Sequence, residues 1–156
     1  MRVKAVENPG NFKVYAKLDG IGRLTKKATR KGMFKWGKDL KSTASASILA
    51  NDKTGIVYIR RTPGGRRRRH RSSGPGQSHA NRSGALRRSI GWKVTGSDRL
   101  EFGYGVDGKD TPDYDGFVEF GTFKMKPRPS IENAINGTLG NAETYFKEEL
   151  DKLNES

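Results

Sequence analysis

Ile131, Ile135, Leu139, Ala142, Phe146, Leu150 and Leu153 follow one another at steps of 4, 4, 3, 4, 4 and 3. That spacing sets them on one side of a helix and commits the end of the chain to lie against an apolar surface. Pro127 and Pro129 stand ahead of the stripe, where proline is tolerated, and Gly137 and Gly140 weaken it without breaking it. A second stripe runs through Ile21, Leu24, Ala28, Trp36, Leu40, Ala44 and Ile48, mostly three or four apart, with Lys and Arg between. It predicts a helix from about Ile21 to Leu49 with a kink near Gly32, weakness at Gly37 and a frayed end over Ser42–Ser47.

Two such helices need a surface to cover. Phe12, Val14, Ala16 and Leu18 alternate with polar or amphipathic residues, the period of a half-buried strand, and Asp19-Gly20 closes it. Ile56-Val57-Tyr58-Ile59 is a short β-prone run after the Asn51–Gly55 turn. Trp92 and Val94, then Leu100, Phe102 and Tyr104, alternate on either side of Gly96-Ser97-Asp98 and predict a β-hairpin. Short helices are expected at Ser83–Ile90, capped by Ser83, and between Pro112 and Gly121. The reading is one α+β domain over residues 1–156: a small antiparallel sheet with both long amphipathic helices packed on one face. Leu24, Trp36, Leu40, Ile135, Leu139, Phe146 and Leu150 are the expected core.

Only 32% of the residues are hydrophobic, so part of the chain must lie outside that core. From Pro63 to Arg82 there is no Val, Ile, Leu, Met, Phe, Trp or Tyr. Thr62–Arg82 is therefore read as a long basic loop or arm, free in the isolated protein and ordered by a partner. It holds Arg66, Arg67, Arg68, Arg69 and Arg71, with Arg60 and Arg61 just before it. Residues 1–97 carry 24 Lys/Arg against 4 Asp/Glu and residues 98–156 carry 7 against 13, so +20 and −6 make up the net +14. Such a split fits nucleic acid, an acidic partner, or copies packed basic part to acidic part.

Chemistry finds little purchase. Without cysteine there is no disulfide and no zinc–thiolate site, and His70 and His79 are the only histidines. Asp107, Asp110, Asp113 and Asp115 read as a solvated loop rather than a metal or acid–base site. The serines lack a nucleophile elbow, and the glycines fit neither a P-loop nor a dinucleotide fingerprint. No catalytic, cofactor or metal residue is assigned. Glu119, set among Phe117, Val118 and Phe120, wants a partner, and the expectation is an ion pair with Arg87 or Arg88 or with an arginine across a subunit boundary. No apolar run approaches the ~18–20 residues of a membrane span, and MRVKAVENPG lacks a signal-peptide stretch, so synthesis in the cytosol is expected.

Two blocks carry a resemblance. One is the stretch from His70 through Ser72-Ser73-Gly74-Pro75-Gly76 to Ser83-Gly84-Ala85-Leu86-Arg87-Arg88-Ser89-Ile90. The other is Tyr114-Asp115-Gly116-Phe117-Val118-Glu119-Phe120-Gly121-Thr122 with the Pro127-Arg128-Pro129 turn. In order and separation they resemble the neck and tail-completion, or head–tail joining, proteins of tailed bacteriophages, the kind represented by the lambda minor tail protein Z. Ser130 departs from the aromatic common in the family after Arg-Pro, and the arginine run is richer than usual. The resemblance implies a non-enzymatic virion component at the head–tail junction, made in the host cytoplasm. It would form a ring, hexameric or dodecameric, between a connector or head-closure protein and a tail terminator or tail tube protein, with non-specific contact to channel DNA open. The interface residues it suggests are Arg60, Arg61, Arg66, Arg67, Arg68, Arg69, Arg71, Arg87, Arg88 and Glu119. A tail terminator or tube-capping ring protein, or a basic nucleic-acid-binding module, are the alternatives.

Overall fold

The computed structural model describes residues 2–6, 13–17, 23–50, 52–81, 83–96 and 99–155. Phe12, Leu18, the Asp19-Gly20 turn, Ile21, Asn51, Arg82 and Ser97-Asp98 lie outside the described residues, as does the side chain of Leu24. The elements are β1 (Arg2–Val6), β2 (Lys13–Lys17), α1 (Arg23–Leu49), β3 (Val57–Arg61), β4 (Arg67–Arg71), α2 (Ala85–Ser89), β5 (Ile90–Thr95), β6 (Arg99–Tyr104), α3 (Asp115–Phe120) and α4 (Ile131–Asn154). A 3-10 turn at Val106–Gly108 follows β6. Among the described residues no helix is long and apolar enough to cross a membrane.

The class is α+β. A four-stranded antiparallel sheet has the order β1-β2-β6-β5, and β3 and β4 form a separate two-stranded sheet. In the larger sheet Phe102 is paired with Val14 on one side and Trp92 on the other, and Leu100 with Ala16 and Val94. α1 lies against β5 and β6, and α4 lies along α1. One core joins Met33, Trp36, Leu40, Ala44 and Ile48 of α1 to Leu100, Phe102 and Tyr104 of β6 and to Ile131, Ala134, Ile135 and Ala142 of α4.

Two expectations about the helices need correction, at the serine-rich end of α1 and on the face of α4. α1 runs as a single element through Gly32 and Gly37, and each glycine receives a ring. A Cβ at Gly32 would stand 2.5 Å from the Phe146 ring, and one at Gly37 would stand 2.5 Å from the Trp92 indole. The serine-rich end does not fray. Ala44 and Ile48 are buried, and the Ser47 hydroxyl donates to the Ala44 carbonyl at 2.9 Å. On α4, Leu139 and Leu150 are 40% and 38% exposed, whereas Thr138 and Glu149 are buried.

The buried face of α4 runs instead through Ile131, Ala134, Thr138, Ala142 and Glu149. An all-apolar stripe missed it because α1 supplies partners for the two polar members. The Trp36 indole N–H donates to Thr138 Oγ1 at 3.0 Å, and Thr138 in turn donates to the Ala134 carbonyl at 2.9 Å. Lys35 Nζ stands 2.9 Å from Glu149 Oε1, and Lys152 Nζ stands at the same distance. Buried polar groups with partners are tolerated where unpartnered ones would be costly.

Candidate functional site

The first four N–H groups of a helix have no acceptor within it. At the start of α4 three of them find Glu119, which reaches across from α3. Its Oε1 accepts from the Ile131 N–H at 2.9 Å and the Glu132 N–H at 3.0 Å, and its Oε2 accepts from the Ser130 N–H at 3.0 Å and the Tyr104 hydroxyl at 3.2 Å. Within the chain Glu119 is met by these donors rather than by Arg87 or Arg88, and its side chain is buried. A negative charge at a helix N-terminus is already favoured by the aligned peptide dipoles, so no cation is needed. Arg88 donates instead to the Ser83 carbonyl at 3.1 Å, and Arg87 Nε is buried with no protein partner.

Burial pushes the Glu119 carboxyl up, and the three backbone N–H groups and Tyr104 oppose that rise. Burial, followed by the neighbouring Glu119, raises the Tyr104 hydroxyl well above the ordinary tyrosine range and keeps it a donor. Of the residues around Glu119, Phe117 and Phe120 point outward and the carboxylate inward, the inverse of what their hydrophobicity suggests.

Ser130 extends this cluster to the other motif block. Its Oγ accepts the His79 backbone N–H at 3.1 Å and stands 2.7 Å from His79 Nδ1. Burial, with Lys53 adding repulsion, lowers the His79 imidazole to about 4, so the ring is neutral and shares with the serine hydroxyl a hydrogen bond whose direction follows the tautomer. A serine, a histidine and a glutamate in sequence of contact invite comparison with a hydrolytic triad. The geometry argues against one. The carboxylate binds the serine backbone rather than the imidazole, and Ser130 has no exposed surface for a substrate to meet.

Among the described residues there is no group of His, Asp and Glu that could hold a metal ion. Asp107, Asp110 and Asp113 are exposed, as expected of a solvated loop. Asp115 is not: it is buried at the start of α3, where its Oδ1 accepts the Gly116 N–H at 2.6 Å.

Thr62–Arg82 is not one loop. Thr62–Arg66 is a tight turn, with the Thr62 N–H donating to the Arg66 carbonyl at 2.9 Å and the Gly65 N–H to the Thr62 carbonyl at 2.8 Å. Gly65 takes φ 76°, a left-handed conformation that suits glycine. Arg67–Arg71 then returns as β4 against β3. The Pro-Gly-Gly turn after a β-prone run was the signal for this hairpin, masked because Arg67–Arg71 has no apolar residue to show a strand's alternation.

The remainder, Ser72–Asn81, is pinned by polar bonds. Gln77 Oε1 accepts from the Thr54 N–H at 3.0 Å and the Gly74 N–H at 2.8 Å, and its amide donates to the Asp52 carbonyl at 2.9 Å. Asn133 of α4 donates to the Gly76 carbonyl at 3.0 Å.

The hairpin is the exposed counterpart of this order. Its register sets Arg60 opposite Arg68 and Arg61 opposite Arg67, and like charges directly opposite are destabilising. Tyr58 and Ile59 are exposed on β3, as is Ile56 just before it. Among the described residues no ion pair includes a hairpin arginine. A groove of about 510 Å³ separates the hairpin from α3, with Tyr58, Arg60 and His70 on one wall and Tyr114, Val118 and Arg128 on the other. Comparison with protein-family models, curated proteins and solved structures finds no match to this chain.

Proposed function

We propose that this protein is a structural component of a tailed-phage neck, a ring of identical subunits that joins the head connector to the tail. The observation that carries the reading is the β3–β4 hairpin. It faces arginine with arginine and leaves Ile59 62% exposed, a surface that gains nothing in a lone molecule. An isolated two-stranded hairpin is marginal in water, and this one has further repulsion to overcome. Such a surface makes sense where an acidic, partly apolar partner completes it. The two motif blocks support the same reading from the inside, since His79, Ser130 and Glu119 join them into a buried frame for α4 rather than a reactive centre. The role is therefore non-enzymatic, with connector and tail terminator or tube proteins as neighbours and the virion as destination.

The same arginines favour a second reading, a basic module that binds nucleic acid through phosphates. Two measurements separate them. Purified protein should assemble into closed rings visible by negative-stain electron microscopy, and labelled antibody should mark the head–tail junction of particles. A protein that stays monomeric and binds duplex DNA with a steep salt dependence would instead be the nucleic-acid module.

A further inference from the structure

We propose that the β3–β4 hairpin docks on a second copy of this chain, on the acidic loop that leads into α3 and on the outer side of α3 itself. This rests on the ring reading above and names the contact that would build the ring. In the pleat of the hairpin, successive side chains alternate between its two faces. Tyr58, Arg60, Arg68 and His70 share one face, and three of these border the groove, which Ile59 also edges. The other face carries Val57 and Ile59 with Arg61, Arg67, Arg69 and Arg71. It is an apolar strip edged by guanidinium groups.

The chain presents the complement of this face in one continuous stretch. Asp107, Asp110 and Asp113 are exposed, and Phe117 on α3 is 60% exposed. The one lysine in that loop is drawn inward, with Lys109 Nζ donating to the Ile90 carbonyl at 3.0 Å, so the loop offers net negative charge. Guanidinium groups fork onto carboxylates and also stack on aromatic faces, which suits a surface where aspartates precede an outward phenyl ring. Ile59 and Val57 would cover Phe117 while the arginines meet the aspartates. A phosphate backbone would answer the charge but leave Ile59 in water, and this favours protein over nucleic acid as the occupant. Because the two surfaces differ, the contact is heterologous, head to tail, and repeats into a ring when the rotation closes.

The absence of cysteine from the chain makes a direct test available. Ile59→Cys and Phe117→Cys are made separately and together, and oxidised under mild conditions. Mixing the two single variants should give a disulfide-linked dimer and nothing larger, and the double variant should give a ladder of multimers. Arg67→Glu with Arg69→Glu should weaken self-association by about tenfold or more, and adding Asp110→Arg with Asp113→Arg should restore it. Circular dichroism of each variant separates lost association from lost fold, and the restoring variant cannot succeed unless the chain folds. An assembled oligomer that gives no 59–117 cross-link overturns this contact and leaves the ring standing. A chain that sediments as a monomer at every concentration overturns both.

Discussion

The cluster around Glu119 and the β3–β4 hairpin are both polar, and they treat polarity in opposite ways. Glu119 answers three orphan N–H groups and a tyrosine hydroxyl, all inside the fold. The hairpin sets arginine against arginine, and among the described residues no ion pair includes its arginines. The first arrangement spends its hydrogen-bonding capacity on holding α4 in place. The second leaves its charge available to something outside. The difference teaches that polar content alone does not distinguish frame from interface; what matters is whether each group has been met within the fold.

The sharpest way to break that comparison is Glu119→Ala. It strands buried donors at the start of α4 and should lower stability by about 3–5 kcal/mol, read as a shift in denaturation midpoint with an unchanged slope. A shift near zero would mean that water replaces the carboxylate freely and that the cluster is no frame.

His79 gives the next largest effect. Its imidazole is lowered from 6.5 to about 4 by burial, so the fold disfavours its protonation. The contribution is fully present above pH 6.5 and is lost as pH falls from there toward about 4, a span worth about 3 kcal/mol. Glu119, raised by burial, works the other way, since its contribution declines as pH rises through the carboxylate range. The clean measurement is therefore the stability of the wild type minus that of His79→Gln across this window. The difference should shrink as the solution is acidified.

Gly32→Ala is the third test. Its Cβ would stand 2.5 Å from the Phe146 ring, and the ring or the α1–α4 contact must move, at a cost of about 1–3 kcal/mol in thermal unfolding. The smallest effect carries the opposite sign. Arg60→Gln with Arg61→Gln removes both cross-strand repulsions and should raise stability by about 0.2–1 kcal/mol per pair. A loss would show that the arginines have partners inside the molecule.

The long helices were legible because apolar side chains at helical spacing leave few alternatives, and the β5–β6 hairpin was legible because Trp92, Val94, Leu100 and Phe102 alternate around a turn. The buried face of α4 was not fully legible. Thr138 and Glu149 read as exposed until Trp36 and Lys35 are seen to meet them. Glu119 looked like half of an ion pair because its neighbours in sequence are apolar, and its actual donors lie 11 to 13 residues further on, at Ser130, Ile131 and Glu132.

By itself, then, the sequence determined the α+β class, the two amphipathic helices and the split of charge, all of which follow from local periodicity and composition. Tertiary structure alone decided which polar groups are satisfied. Ser72–Asn81 has no large apolar side chain to anchor it, yet Gln77, Asn133 and Ser130 hold it to the body through hydrogen bonds. The reason is physical. A hydrophobic side chain needs only to leave water, and its pattern declares that need locally. A hydrogen bond needs one particular partner at about 3 Å, and that partner is known only when the chain has folded.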